Sequence, residues 1–275
     1  MTKVEPKYRR PLNEDQHALL RVLFIYRFCS SKQLAEYEDK ASVKHIQKRL
    51  KILEDQGYIA KRYDKSYKLL GRPAEYYLAP KGGKLLQTIH TNDRIPDQAI
   101  KNRYKDKTAS RKFMDHSIAI ASTWLKLKEL YPNQLDVFLT ASHLSLKQYD
   151  YFPRWKPHAY FVLRNGAKGT GQKHEYFLDV FDGHIPFFVR VRRIKSYLTY
   201  ADSGDWEGTL PTILMICENQ STQKRLRRRI VKELNNIWDE ETTFYITTQR
   251  ELMSSSSGDK IWELATDADS KTELK

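Results

Sequence analysis

Between Ser42 and Gly57 the apolar residues Val43, Ile46, Leu50 and Leu53 recur three and four positions apart, so they line one stripe of an α-helix. Ser42 can cap the start of that helix, and Gly57 supplies a left-handed stop. Lys44, His45, Gln47, Lys48 and Lys51 fall off the stripe. A helix this short needs partners on its apolar stripe, and it leaves its basic side in solvent. The flanking sequence supplies the partners. Asn13 and Gln16 form a capping-box pattern ahead of a first helix with Leu19, Val22, Leu23 and Tyr26 on one face. Glu14 and Asp15 lie at the positive end of its dipole. Ser30 and Gln33 repeat the pattern before a short second helix carrying Leu34 and Tyr37, and the turn 38–41 leads into the third. After Gly57, residues 58–63 alternate as a half-buried strand does. A polar tip is expected over Asp64 to Pro73, and Glu75 to Leu78 returns as a second strand.

Three short helices followed by a basic hairpin is the order of a winged helix-turn-helix, expected over Asn13 to Pro80. The chain has 48 Lys and Arg against 34 Asp and Glu, a formal net charge of +14. A surplus that large favours a polyanionic partner, either nucleic acid or an anionic membrane surface. No apolar run approaches a bilayer span, and Met1 to Arg10 lacks the apolar stretch of a signal peptide. Double-stranded DNA is therefore the expected partner, no membrane is expected, and the expected location is the cytoplasm. Cys29 and Cys217 are read as buried fillers in a reducing compartment. No Cys/His spacing suits zinc, and neither metal nor other cofactor is expected. In a major groove, Gln47 can pair with adenine, and Lys44, Lys48 and Lys51 can reach guanine or phosphate, with His45 on the same face. Ser42 and the helix N-terminus can hold a phosphate. At the tip, Lys65 and Lys68 accompany Arg72, which stands between Gly71 and Pro73 and can lay its guanidinium in a narrow minor groove. The competing reading of the same fold is a protein-interaction module.

The expected domains are 1–92, a charged linker at 93–109, a second domain at 110–265 and a disordered tail at 266–275. A helix from Pro80 with Leu85, Leu86 and Ile89 closes the first domain. The second opens with a long helix from Ser110, in which Phe113, Ser117, Ile120, Trp124, Leu127 and Tyr131 form a coiled-coil-like stripe. That stripe either packs on a sheet or makes a homodimer seam. Strands are expected at Leu135 to Thr140, His158 to Leu163, Tyr176 to Phe181, Thr212 to Cys217 and Thr243 to Thr247, with a last edge strand at Ile261 to Leu264. Two helices lie among them, one after Pro186 with Phe188, Val191, Ile194, Leu198 and Ala201 inward, the other carrying Leu226, Ile230, Leu234 and Ile237. Helix, three strands, helix, strand is the core order of a restriction-endonuclease-like α/β sheet domain. Such nucleases need Pro-Asp on one strand and acid-x-Lys on the next, to hold Mg²⁺ and position water. Here those places hold Pro157-His158 and Asp179-Val180-Phe181. Asp179, even with Asp150, Asp182 or Glu218, makes a poor Mg²⁺ cage, so no catalytic residues are expected. The alternative is a Mg²⁺-dependent nuclease with a rearranged site around Asp179. Gly166 to Gly171 reads as a hairpin loop, because no helix follows it as a phosphate cradle requires. His116, His174 and His184 show no metal-binding spacing. Two basic runs, Arg190, Arg192, Arg193 and Lys195, and Lys224, Arg225, Arg227, Arg228, Arg229 and Lys232, read as outer helix faces. Of these, Arg192, Arg193, Lys195, Arg225, Arg228 and Arg229 form an auxiliary basic surface for the DNA backbone.

Four segments carry a resemblance: Met114-Asp115-His116-Ser117-Ile118-Ala119, Lys156-Pro157-His158-Ala159-Tyr160, Tyr176-Phe177-Leu178-Asp179-Val180 and Arg192-Arg193-Ile194-Lys195-Ser196-Tyr197. With the winged helix before them, they resemble the replication-relaxation proteins of plasmids and other mobile elements. Members of that family commonly carry Pro-Asp-Ala, an acid followed by Val, and a basic helix ending in Tyr. The resemblance covers nearly the whole chain. It implies a DNA-binding accessory protein for plasmid replication or relaxation, with a degenerate nuclease-like second domain. Taken with the basic winged helix and the incomplete catalytic set, the expected function is that of a non-enzymatic double-stranded-DNA-binding protein acting in replication, relaxation or mobilisation, or transcriptional control, with replication or mobilisation proteins as candidate partners. His158 in place of Asp departs from the family pattern.

Overall fold

The computed structural model describes residues 11–38, 42–89, 95–165, 171–238 and 241–275. The chain divides into two compact units, Met1–Thr108 and Ala109–Lys275. In the first, helix α1 (Glu14–Tyr26) opens with the expected capping box. Asn13 Oδ1 accepts from the Gln16 amide at 2.9 Å, and Gln16 Oε1 accepts from the Asn13 amide at 3.0 Å. Its Leu19, Leu20 and Leu23 are fully buried. Strand β1 (Cys29–Ser30) runs straight into α2 (Ser31–Tyr37), where Ser30 and Gln33 make a second capping box. Helix α3 (Val43–Asp55) buries Ile46, Leu50 and Leu53 completely. Each such side chain contributes about 1.5–3 kcal/mol on removal from water. Gly57, at φ +74°, ends α3 as expected and turns the chain into β2 (Ile59–Arg62). Helix α4 (Lys65–Leu69) and β3 (Glu75–Leu78) follow, and the sheet order is β1-β3-β2, antiparallel throughout. Helix α5 (Pro80–Thr88) packs on α1 and β2.

Two expectations change in this unit. The tip between β2 and β3 is not simply polar: it contains α4, and Leu69 and Leu70 stand out of it 86% and 67% exposed. The stretch 93–109, expected as a linker, holds helix α6 (Asp97–Arg103) and a 3₁₀ turn (Tyr104–Thr108). Two of its charges, Arg103 and Asp106, are inside the unit, while Asp97, Lys101, Lys105 and Lys107 are exposed. Asp106 is fully buried and accepts from Arg27 Nε at 2.9 Å, while buried Arg103 stacks over Phe24 at 5.0 Å. Charge alone suggested a linker; charge with an internal partner is core structure. Residues 39–41 of the expected turn and 93–94 of the expected linker lie outside the described residues.

The second unit is a seven-stranded mixed sheet with helices on both faces. Helix α7 (Arg111–Leu130), capped by Ser110, leads to β4 (Leu135–Thr140), the short α8 (Ala141–Leu144) and a 3₁₀ turn (Lys147–Tyr149). Then come β5 (Ala159–Arg164), β6 (Lys173–Phe181), α9 (Phe187–Ser203), β7 (Thr212–Cys217) and α10 (Gln220–Ile237). The chain closes with β8 (Phe244–Thr248), α11 (Gln249–Ser254), β9 (Trp262–Leu264) and β10 (Asp267–Thr272). The order across the sheet is β10-β9-β8-β7-β6-β5-β4. Strands β6, β7 and β8 are parallel, and the pairs outside them are antiparallel. The all-apolar run of β7 is divided by the pleat. Ile213, Met215 and Cys217 join one core with Tyr197, Leu226 and Ile230, while Leu214 and Ile216 join the other with Leu127, Leu252 and Trp262.

Two expectations change here. The tail after Thr266 is ordered. Strand β10 pairs with β9, buried Leu274 donates its amide to Tyr131 Oη at 3.3 Å, and β9 is therefore no edge. The inward face of α9 is Ile194, Tyr197, Leu198 and Tyr200, turned away from the expected Phe188, which is 63% exposed. Of the two readings of the α7 stripe, packing on the sheet is the one seen: Leu127 and Tyr131 lie in the second core and Ile120 packs against it. Residues 166–170 of the glycine-rich segment lie outside the described residues, between antiparallel β5 and β6. Among the described residues, no helix is long and apolar enough to cross a membrane.

Candidate nucleic-acid interface

Burying one stripe of α3 turns the rest outward, and Lys44, His45, Gln47, Lys48 and Lys51 are all exposed. Lys51 approaches an acid of its own helix, Asp55 at 4.0 Å. Arg49 does something the sequence reading missed. It pairs with Glu38 at 2.5 Å and Asp15 at 2.7 Å, tying α3 to the ends of α2 and α1. Nothing in the helical periodicity separates Arg49 from its solvent-facing neighbours. Ser42 does not cap as expected: its side chain makes no capping bond, and the His45 amide goes to the Ser42 carbonyl at 3.2 Å. The exposed Ser42 hydroxyl stays at the helix start.

At the hairpin tip, Asp64 caps α4 by accepting from the Ser66 amide at 2.8 Å and the Tyr67 amide at 3.3 Å. Tyr67 turns inward and donates to buried Glu75 at 2.8 Å. That anchor leaves Lys65, Lys68 and Arg72 exposed on the outer side.

The auxiliary basic residues divide. Arg192, Lys195, Arg225 and Arg228 are exposed, with Arg225 lying over the Phe187 ring at 3.8 Å and Lys195 within 3.8 Å of Glu233. Arg229 leans back to Glu233 at 2.5 Å. Arg190 is buried, bound to Glu218 at 2.7 Å and to the carbonyls of Asp182 and Ile185. Arg193 turns inward too, donating to the Trp155 and Lys156 carbonyls and lying 3.3 Å from Asp179. The shifted inner face of α9 is the reason: it places positions 190 and 193 at the sheet margin and 192 and 195 in solvent.

Asp179 is the centre of a buried polar cluster. The pleat of β6 places it between Phe177 and Phe181 on the α9 side, with no exposed surface. Its carboxylate accepts from the His158 amide at 3.2 Å and from Tyr197 Oη at 2.9 Å, with Arg193 as its cation. Burial pushes the Asp179 carboxyl up, against the pull of Arg193, Tyr197 and the His158 amide. His158 Nδ1 accepts from the Val180 amide at 3.0 Å and also lies 3.3 Å from Asp179. A proton on Nδ1 would strip Val180 of its acceptor, so the ring is neutral there. Burial, then His116 and Arg193, hold His158 well below the usual imidazole range. His116 contacts the His158 ring edge-on at 4.5 Å and pairs with Asp182 at 2.9 Å. The carboxylate oxygens of Asp179 are thus used by donors of the chain itself, and the cluster is a polar knot.

A family model described as Replication-relaxation matches residues 20–213. The chain belongs to the replication-relaxation family. In this replication-relaxation protein, the four segments that carry the resemblance meet in one place: His116, His158, Asp179, Arg193 and Tyr197 are the knot just described. No curated protein matches the chain. Among solved structures it is similar to the restriction endonuclease FokI bound to DNA, at 12% identity and a TM-score of 0.28, over 86% of this chain and 43% of that one. The chain thus spans less than half of that structure's length, and a similarity so low fixes no fold.

Proposed function

We propose that this replication-relaxation protein is a non-enzymatic double-stranded-DNA-binding protein of a plasmid or other mobile element, acting in replication, relaxation or mobilisation, or control of its own genes. The first unit is a winged helix-turn-helix in this reading, with α3 as recognition helix and the β2–β3 hairpin as wing. The observation that carries it is the exposed face of Lys44, His45, Gln47, Lys48 and Lys51 on a helix that buries Ile46, Leu50 and Leu53 on its other side. Such a helix fits the B-DNA major groove, where Gln47 reads adenine and the lysines reach guanine or phosphate. Ser42 offers its hydroxyl to a phosphate, and Lys65, Lys68 and Arg72 hold the backbone beside the groove. Arg192, Lys195, Arg225 and Arg228 supply a secondary basic surface. The non-enzymatic part of the reading is supported by Asp179, which has Arg193, Tyr197 and a backbone amide for partners.

A gel-shift series over duplexes from the gene's own surroundings tests the assignment. Gln47→Ala relaxes sequence preference by about 1–3 kcal/mol, the worth of one bidentate base contact. Lys48→Ala and Arg72→Ala weaken binding on every duplex. If all three variants bind as the unmodified protein does, α3 and the hairpin are not the interface. Mg²⁺-dependent nicking of supercoiled plasmid that disappears in Asp179→Ala would replace the non-enzymatic reading with a nuclease.

A further inference from the structure

The hairpin tip carries a feature that phosphate contacts do not use. Leu69 and Leu70 are adjacent, 86% and 67% exposed, on the outer side of a turn whose inner residue, Tyr67, is buried and bonded to Glu75. Exposed leucines are ordinary one at a time; two side by side at the apex of a projecting hairpin are not. Three exposed cations, Lys65, Lys68 and Arg72, flank them in sequence, and Asp64, the one acid of the tip, caps α4. Apolar side chains flanked by cations match a polyanion with an apolar interior, which is what a base stack bounded by phosphates offers. Two leucines make a narrow wedge. They do not make the broad apolar face by which an amphipathic segment lies on a membrane.

We propose that Leu69 and Leu70 form a wedge that enters the minor groove of duplex DNA and kinks it, with Lys65, Lys68 and Arg72 holding the flanking phosphates. This rests on the DNA-binding reading above and adds an activity to it: the protein bends the DNA it holds. Unstacking a base step opposes the kink, and the bent duplex then wraps more protein surface in return.

Ring closure tests the wedge without knowledge of the binding site. A mixed-sequence duplex of about 120 bp is shorter than the persistence length of about 150 bp, so ligase circularises it poorly unless a protein bends it. The unmodified full chain is expected to raise the yield of circles several-fold. Leu69→Ala combined with Leu70→Ala is expected to abolish that rise while gel-shift affinity for the same duplex falls only a few-fold. Both substitutions are at exposed positions, and a far-UV circular dichroism spectrum equal to that of the unmodified protein confirms the fold. Retention of the duplex without ring closure overturns the wedge and leaves the DNA-binding reading standing, as does a double variant that closes rings as well as the unmodified chain. No retention of the duplex by the unmodified chain overturns both. Leucine-dependent binding to vesicles of phosphatidylserine and phosphatidylcholine, or a leucine-dependent dimer in sedimentation, with no effect on ring closure, overturns the wedge and assigns the tip to a lipid surface or a second copy instead.

Discussion

His158 stands one residue before β5, where the strand ladder has run out and the Val180 amide of β6 would have no backbone acceptor. The imidazole replaces that acceptor, and the His158 amide simultaneously serves Asp179. The first task needs an Nδ1 without a proton. His158 is held well below the usual imidazole value of 6.5, first by burial and then by the nearby His116 and Arg193, against the opposing pull of Asp182. The unfolded chain therefore binds a proton that the folded chain refuses. This contribution to stability is fully present above about pH 6.5 and is lost as pH falls below it, at up to about 1.4 kcal/mol per pH unit for one proton. His158→Asn keeps an acceptor for Val180 without a titrating ring. Urea unfolding at pH 7.5 and 5.5 should show a stability difference smaller in the variant by about 1 kcal/mol; an unchanged difference would place the titration elsewhere. Part of this is legible in the sequence. The segments around His116, His158, Asp179 and Tyr197 stand out by resemblance, and the departure of His158 from Asp is visible in the letters. Their convergence is not, because it depends on which side of β6 faces α9. The same holds for Arg190 and Arg193, whose letters match the exposed arginines beside them.

At the scale of elements, periodicity and capping carry far. The boxes at Asn13 and Ser30, the α3 stripe and the Gly57 stop all follow from local chemistry, and all are present. What local chemistry cannot report is close approach between elements. A Cβ at Gly82 would lie 2.2 Å from the Tyr58 carbonyl oxygen and 2.8 Å from Leu78 Cδ1, so α5 can reach β2 only through a residue without a side chain. At Gly57 the constraint is conformational instead: φ is +74° and nothing lies within 4 Å. Gly57→Ala should cost roughly 1 kcal/mol, the strain of one left-handed alanine. Gly82→Ala should cost at least about 2–3 kcal/mol, at the upper end of the overpacking range or beyond, since the obstacle is backbone. Thermal melts of both variants check the order, and a Gly82→Ala protein as stable as Gly57→Ala would contradict the packing. The ordered C-terminal strand escapes a local reading for a related reason. Residues 267–272 are polar and alternate weakly, and what fixes them is pairing with β9 together with buried Leu274 beyond.

At the scale of the whole molecule, the order helix, three strands, helix, strand, helix, strand is legible in the sequence, and it builds the sheet from its edge strand β4 as far as β8. The division of basic residues into inward and outward sets is not, and it decides what salt dependence to expect. Arg225 and Arg228 are exposed while Arg229 is paired with Glu233. If the second unit touches DNA backbone, Arg225→Ala with Arg228→Ala lowers the slope of log affinity against log salt by up to about 0.9 for each phosphate no longer neutralised, and leaves sequence preference unchanged. Titrations between about 50 and 200 mM salt measure it, and an unchanged slope confines the interface to the first unit. The two cysteines bear on the same division. Cys29 lies in the first unit and Cys217 in the second, 2% and 0% exposed, and burial pushes both thiols up, Cys217 to about 12. A thiolate reagent at neutral pH is therefore blind to both until the surrounding structure opens. The chain carries one concealed clock in each unit. Labelling Cys29 and Cys217 side by side times the opening of each unit separately, with and without a duplex present, and the clock that DNA slows marks the unit that holds it.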